Sequence, residues 1–228
     1  MKNVAESLRN VRLRIARAEQ AYGRRPGSVT LLAVSKTQPV AAIRAAAVCG
    51  QADFAENYVR EAMEKIATLA DSRLTWHFIG PVQSNKTRPV AEHFHWVHSL
   101  DRLKIAERLS AARPASLPPL NACIQINISG EASKSGVAPE AAAELLEACA
   151  TLPGLRLRGL MVLPAPNDDF ERQRQPFRRA RELLQALEAH CPGLDTLSMG
   201  TTQDLEAAIA EGATLVRIGT AVFGPRAR

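Results

Sequence analysis

Three segments of this 228-residue chain carry side chains that can do chemistry, and they lie far apart in sequence. The first ends at Lys36, which closes the apolar run Val29-Thr30-Leu31-Leu32-Ala33-Val34-Ser35 and precedes Thr37-Gln38-Pro39. A short run rich in Val and Leu and stopped by Pro predicts a buried strand. A lysine at such a strand end must pair, reach water or lose its charge. Desolvation lowers an ammonium pKa and frees an amine that can attack a carbonyl. A lone lysine would more simply snorkel into solvent. The other two segments tip the balance: Leu197-Ser198-Met199-Gly200-Thr201-Thr202 and Leu215-Val216-Arg217-Ile218-Gly219-Thr220. Both follow an apolar run with small residues and a threonine hydroxyl. Small residues let backbone N–H groups approach phosphate oxygens, and a helix N-terminus favours negative charge. Either segment alone reads as a turn glycine with an N-cap threonine. An amine opposite two such cradles points to a phosphorylated aldehyde.

The elements that would hold these residues follow from periodicity. Val4, Leu8, Val11, Ile15 and Ala18 recur at spacings of four and three, with Gly23 beyond them, which predicts an amphipathic helix within residues 1–22. Eight short apolar runs follow, at 29–35, 53–55, 75–79, 96–99, 122–128, 158–163, 196–199 and 215–218. Helical patterns separate them, at 40–49, 56–70, 85–93, 101–112, 139–151, 170–190 and 203–211. Strict alternation demands a parallel sheet, and eight repeats predict an α/β fold of one domain, 1–228: a closed (β/α)8 barrel with an extra N-terminal helix packed on it. An open doubly wound sheet is the alternative, but no G-x-G-x-x-G follows the first strand. In a barrel the site sits at the C-terminal strand ends, with phosphate often bound after strands seven and eight. The two glycine-bearing segments fall there.

Bulk properties narrow the function classes. With 46% hydrophobic residues the chain can bury one sizeable core. The net charge of +6 is spread along the chain. Its densest patch, Arg172, Arg174, Arg178, Arg179 and Arg181, lies in a helical stretch and reads as a solvated helix face. Aromatic residues make up only 4%, so base stacking finds no support and no nucleic-acid partner is expected. Cys49, Cys123, Cys149 and Cys191 form no C-x-x-C pair, the N-terminus has no signal-peptide pattern, and no apolar run approaches the ~20 residues that span a bilayer. A cytoplasmic protein with reduced thiols and no membrane partner is the expectation. His93, His95 and His98 lack companions for a ligand set and read as two surface histidines and one at a strand end, so no metal is expected. Lys86 is a second amine, at a helix start and expected to be exposed.

Several segments together resemble the pyridoxal phosphate homeostasis proteins, single-domain relatives of the alanine racemase N-terminal barrel. They are Leu32-Ala33-Val34-Ser35-Lys36-Thr37, Phe54-Ala55-Glu56-Asn57-Tyr58-Val59, and Trp76-His77-Phe78-Ile79-Gly80-Pro81-Val82-Gln83-Ser84-Asn85-Lys86. Ile124-Gln125-Ile126-Asn127, Ser133-Lys134-Ser135-Gly136, Gly159-Leu160-Met161 and Val216-Arg217-Ile218-Gly219-Thr220-Ala221-Val222-Phe223-Gly224 complete the set, in the family's order. The resemblance implies pyridoxal 5'-phosphate held as a covalent aldimine on Lys36, phosphate contacts from Ser198 or Gly200, Thr202, Gly219 and Thr220, and Arg217 facing the pyridine nitrogen. Asn57, His77 and Met161 are implied as further cofactor neighbours. Ala55 replaces the family's usual Gly, and Thr201-Thr202-Gln203-Asp204-Leu205 replaces its Met-Ser-Asp-Asp-Met; Thr202 keeps the hydroxyl. The Ser133–Gly136 loop reads as a lid or as a plain turn.

An arginine beside the pyridine nitrogen opposes ring protonation and makes a poor electron sink. The related racemases take a second base, a tyrosine, from a further domain that does not follow here; only Tyr22 and Tyr58 are present. The expected role is a monomeric carrier with no strong turnover, exchanging pyridoxal phosphate with the cellular pool, and with amino acids and apo-enzymes that use the cofactor as further partners. A weak amino-acid racemase is the alternative, and a sugar-phosphate aldolase working through the same lysine is a third class.

Overall fold

The computed structural model describes residues 3–131 and 135–225. Helix α1 (Val4–Ala21) comes first, and Asn3 caps it by accepting the Ala5 and Glu6 N–H groups. Strand and helix then alternate: β1 (Thr30–Val34), α2 (Val40–Val48), β2 (Asp53–Glu56), α3 (Val59–Thr68), β3 (Thr75–Phe78), α4 (Thr87–His93), β4 (Trp96–Leu100) and α5 (Leu103–Ala112). The second half repeats the pattern with β5 (Leu120–Ile126), α6 (Ala142–Ala150), β6 (Leu155–Val162), α7 (Phe170–Leu187), β7 (Thr196–Ser198), α8 (Leu205–Ala210), β8 (Leu215–Ile218) and the short α9 (Thr220–Phe223). The strands form a closed parallel barrel in chain order. Ala33 of β1 closes it by pairing with Phe54 on one side and Ile218 on the other.

Strand side chains alternate between two environments. Leu31, Ala33, Phe54, Phe78, Val97, Val216 and Ile218 point outward into one continuous core shared with the helices. Inside the barrel the apolar cluster is small, built from Leu32, Val34, Ala55 and Leu215 with Ile79 packed against it. Barrels of this type fill that space with branched aliphatics. Here buried His77, His98, Ser198 and Arg217 occupy positions of β3, β4, β7 and β8 instead.

The sequence reading places every strand, and three local differences have physical causes. The helix expected from residue 56 starts at Val59, because Glu56 stays in the ladder opposite Phe78. The helix expected from 203 starts at Leu205, because the Asp204 carboxylate accepts the Thr201 N–H and hydroxyl and winds 202–204 into a turn. The arginines of α7 are not simply a solvated face. Arg174, Arg178 and Arg181 converge on buried Glu211 at 2.8, 3.1 and 2.7 Å. Burial alone would raise the Glu211 pKa, but these guanidinium groups hold it below the usual carboxylate range.

Helix α1 packs against α2, α8 and α9. Cys49, Cys123, Cys149 and Cys191 are free thiols, and burial pushes Cys123 up to about 12 and Cys149 to about 11. Among the described residues no helix is long and apolar enough to cross a membrane, and no cluster of His, Cys, Asp and Glu could hold a metal ion. Ser133 and Lys134, of the Ser133–Gly136 loop read as a lid or turn, lie outside the described residues, as does Ala132 before them.

Candidate functional site

The C-terminal ends of β1, β6, β7 and β8 surround a cavity of about 410 Å³. Lys36 reaches it from the turn after β1. That turn is held in a costly shape: Thr37 has φ 63°, a left-handed conformation that a β-branched residue rarely adopts. Its N–H donates to Glu61 at 2.6 Å. Beneath it the buried Lys65 ammonium donates to the Ser35 carbonyl and to Glu56, each at 2.7 Å, and to Glu61. The Ser35 hydroxyl donates to the same Glu56 oxygen at 2.7 Å. Burial raises the Glu56 pKa while the Lys65 ammonium opposes the rise. A carboxylate–ammonium cluster on β2 and α3 thus braces the backbone on both sides of Lys36.

Apolar walls come from Val34, Ile79, Met161 and Leu163. Asn57 adds a polar group, and its buried Oδ1 has no hydrogen-bond partner among the described residues. Gly80 allows this placement, since a Cβ there would collide with the Asn57 carbonyl. The opposite wall consists of Thr201, Thr202 and Gln203 from the turn before α8, with Gly219 and Thr220 at the start of α9. The first N–H groups of a helix lack intrahelical partners, so this wall suits an anion. Helix α1 supports it from behind: Arg14 grips Glu206 at 2.8 and 2.9 Å and donates to the Thr202 carbonyl at 3.1 Å.

Arg217 supplies the cavity's second cationic side chain. It is only 6% exposed and donates to the Ser198 hydroxyl at 2.8 Å and the Val162 carbonyl at 2.9 Å. Burial lowers its pKa to about 10, which leaves it cationic at neutral pH.

Of the residues singled out in sequence, Lys36, Asn57, Met161, Thr202, Arg217, Gly219 and Thr220 line this one cavity. Ser198, Gly200 and His77 do not. Ser198 is fully buried behind Arg217. Gly200 has φ 94°, and a Cβ on it would face Ala208 and Val216, so it shapes the turn rather than the wall. His77 is buried inside the barrel, its ring bonded to His98 and Asp53, and does not line the cavity. Tyr58 is 55% exposed and does not line the cavity, and Lys86 is exposed as expected. His93 and His95 are exposed, but His98 is buried in mid-strand rather than at a strand end. Sequence reasoning missed Thr201, Gln203 and the walls Val34, Ile79 and Leu163. Spacing was the signal for two of them: Leu163 stands two residues past Met161, and Ile79 two past His77, the period of one strand face. A larger cavity of about 730 Å³ lies near the start of α6 and the face of α7, with Arg179, Glu140 and Glu182 in its walls, and among the described residues no lysine lines it.

Three comparisons place the chain among known proteins. The family model for the alanine racemase N-terminal domain matches residues 7–227. A pyridoxal phosphate homeostasis protein of Pseudomonas aeruginosa is 62% identical over 226 residues, covering 99% of this chain and 97% of the relative. One from Escherichia coli is 53% identical over 229 residues, with 99% and 98% covered. Among solved structures, PipY of Synechococcus elongatus with pyridoxal phosphate bound is similar at a TM-score of 0.84 and 37% identity, covering 97% of this chain and 100% of that one. The chain belongs to the pyridoxal phosphate homeostasis protein family, whose barrel is that of the alanine racemase N-terminal domain.

Proposed function

We propose that this protein binds pyridoxal 5'-phosphate through a Schiff base on Lys36 and exchanges it with the cellular pool rather than turning over a substrate. The observation that carries the reading is the meeting of Lys36, Arg217 and the Thr202 and Gly219–Thr220 turns around one cavity. The residues fit the cofactor's chemistry. An amine suits its aldehyde, the turns suit its phosphate, and the apolar walls suit its ring. The orphaned Asn57 Oδ1 offers an acceptor to a ligand hydroxyl. When bound, the cofactor supplies an electrophilic carbon and a conjugated ring that can take up electrons.

The same lining argues for a carrier. Arg217 is a fixed cation and disfavours protonation of a ring nitrogen beside it. No histidine, carboxylate or tyrosine lines the cavity among the described residues, so Lys36 is the one lining group suited to move a proton. Racemisation needs a proton-transfer group on each face of the substrate carbon. An amino acid entering the cavity would find Lys36 as its one proton-transfer group, and hydrolysis of the link to Lys36, which returns the free amine and the aldehyde, would let the cofactor pass to an acceptor apo-enzyme. The cytoplasm is where such recipients would be met.

The test is to purify the protein, record its visible spectrum, reduce it with borohydride and locate the adduct by mass spectrometry. The adduct is expected on Lys36 and absent from Lys36→Ala. An adduct on Lys86 or Lys134 would overturn the site. Racemisation of any amino acid at a rate near the enzyme median of ~10 s⁻¹ would replace the carrier reading with the racemase one.

A further inference from the structure

Behind Arg217, buried polar groups form a continuous chain across the barrel. Arg217 donates to the Ser198 hydroxyl at 2.8 Å, and Ser198 Oγ lies 2.8 Å from His98 Nδ1. His98 Nε2 lies 3.0 Å from His77 Nδ1, and His77 Nε2 lies 3.2 Å from Asp53 Oδ1. The five residues stand on β8, β7, β4, β3 and β2. Arg217 borders the cavity at the C-terminal mouth, while Asp53 is the first residue of its strand and borders a separate cavity at the other end, with Arg12, Glu19 and Gln51.

The chemistry of the two ends dictates the order of protons between them. A guanidinium only donates and an ionised carboxylate only accepts. Burial lowers the pKa of both histidines, His98 furthest, so each is a neutral ring with one donor and one acceptor nitrogen. Asp53 therefore accepts the hydrogen bond from His77 Nε2–H, which leaves Nδ1 as an acceptor. His98 must then donate from Nε2, leaving its own Nδ1 to accept the Ser198 hydroxyl proton. The serine oxygen is left free to accept from Arg217. In the opposite order, a bare His77 nitrogen would face the carboxylate, and Ser198 would have to accept from both His98 and Arg217. The observed links thus all run one way, and hydrogen bonds aligned in series strengthen one another.

We infer that Asp53, from the far end of the barrel, sets this order and, with His77, His98 and Ser198, positions Arg217 for the cofactor. These are positioning residues, since only Arg217 reaches the cavity. Arg217 forms no ion pair among the described residues, so the serine oxygen and the Val162 carbonyl are what fix its planar head. The consequence for the cofactor rests on the function proposed above, whereas the proton order belongs to the ligand-free protein.

Nitrogen-15 NMR of the imidazoles in the ligand-free protein tests the order directly. His77 and His98 are expected as neutral Nε2–H tautomers at neutral pH. Asp53→Asn, whose amide oxygen still accepts, should keep both tautomers and hold pyridoxal phosphate affinity within about twofold of the parent. Asp53→Leu should release His77 into mixed tautomers and weaken pyridoxal phosphate binding by about five- to tenfold, the scale of one ordinary hydrogen bond. A merely structural role for Asp53 would lower the melting temperature without moving the tautomers. An Nδ1–H tautomer at His98 in the parent overturns the inference even if Asp53→Leu fails to fold. So does Asp53→Leu with unchanged tautomers and affinity. A parent protein with the expected tautomers that takes up no pyridoxal phosphate would sink the cofactor reading and leave the proton order standing.

Discussion

Removing Arg14 should weaken phosphate recognition from a helix that never touches the ligand. Arg14→Ala deletes the two-pronged contact with Glu206 and the hydrogen bond to the Thr202 carbonyl. The Arg14 and Glu206 side chains are 35% and 38% exposed, so their ion pair contributes at most about 1 kcal/mol to folding. Only the Thr202 contact bears on the ligand. A bond from a charged donor to a partly solvated carbonyl is worth about 1 kcal/mol, or roughly a fivefold change in dissociation constant. The assay is equilibrium titration of the parent and the variant with pyridoxal phosphate and with unphosphorylated pyridoxal. Pyridoxal phosphate should bind about fivefold more weakly to Arg14→Ala, and pyridoxal should be unaffected. Equal losses for both ligands would show that Arg14 supports the whole cavity rather than its phosphate wall. No loss for either would show that the turn needs no support from α1.

Other outcomes follow from the same geometry. Thr202→Val and Thr220→Val each remove a hydroxyl donor from the anion wall and should weaken pyridoxal phosphate binding by about 1.5–3 kcal/mol, measured by the same titration. Gly80→Ala drives a methyl into the Asn57 carbonyl and should lower stability by about 1–3 kcal/mol in denaturant melts while also weakening cofactor binding. The buried histidines make stability depend on acid. Their folded pKa values lie below the unfolded value of about 6.5, so the unfolded chain takes up protons that the native state does not. Their full contribution is present above that pH and is lost as the pH falls below it, by up to about 1.4 kcal/mol per pH unit for each ring. Replacing one ring, as in His98→Asn, should flatten the slope of unfolding free energy between neutral and mildly acidic pH; an unchanged slope would mean that burial does not lower the His98 pKa.

The barrel was legible in the sequence because its evidence is local. Each strand announces itself by a short apolar run and each helix by its own period, and eight alternations leave little choice of topology. Lys36 was legible for the same reason, as a charge ending an apolar run. What escaped depends on closure. Lys65 reads as one more lysine on an exposed helix until α3 lies under the β1 turn and carries it to Ser35 and Glu56. His98 looked like a strand-end residue because its partner Ser198 is one hundred positions away and reaches it only across the interior. Arg14 meets the Thr202 turn over a separation of 188 residues. Gly200 and His77 belong to motifs near the site, and a motif preserves order along the chain without saying which way a residue faces.

The two faces of each strand also divide this protein's tolerance to change. The outward face joins one large apolar core with the helices, whereas the inward face has a small apolar cluster and a string of polar groups. Substitutions in the outer ring should be selected against for loss of folded protein. In the inner ring, exchanging the whole polar string for well-packed aliphatics is the kind of change that is often neutral or stabilising, although removing one member alone is not. A screen for thermal tolerance would then enrich variants that have lost the ligand, and a screen for bound cofactor would reject them. Sorted by the two screens, the mutational map of this barrel should separate into two concentric rings.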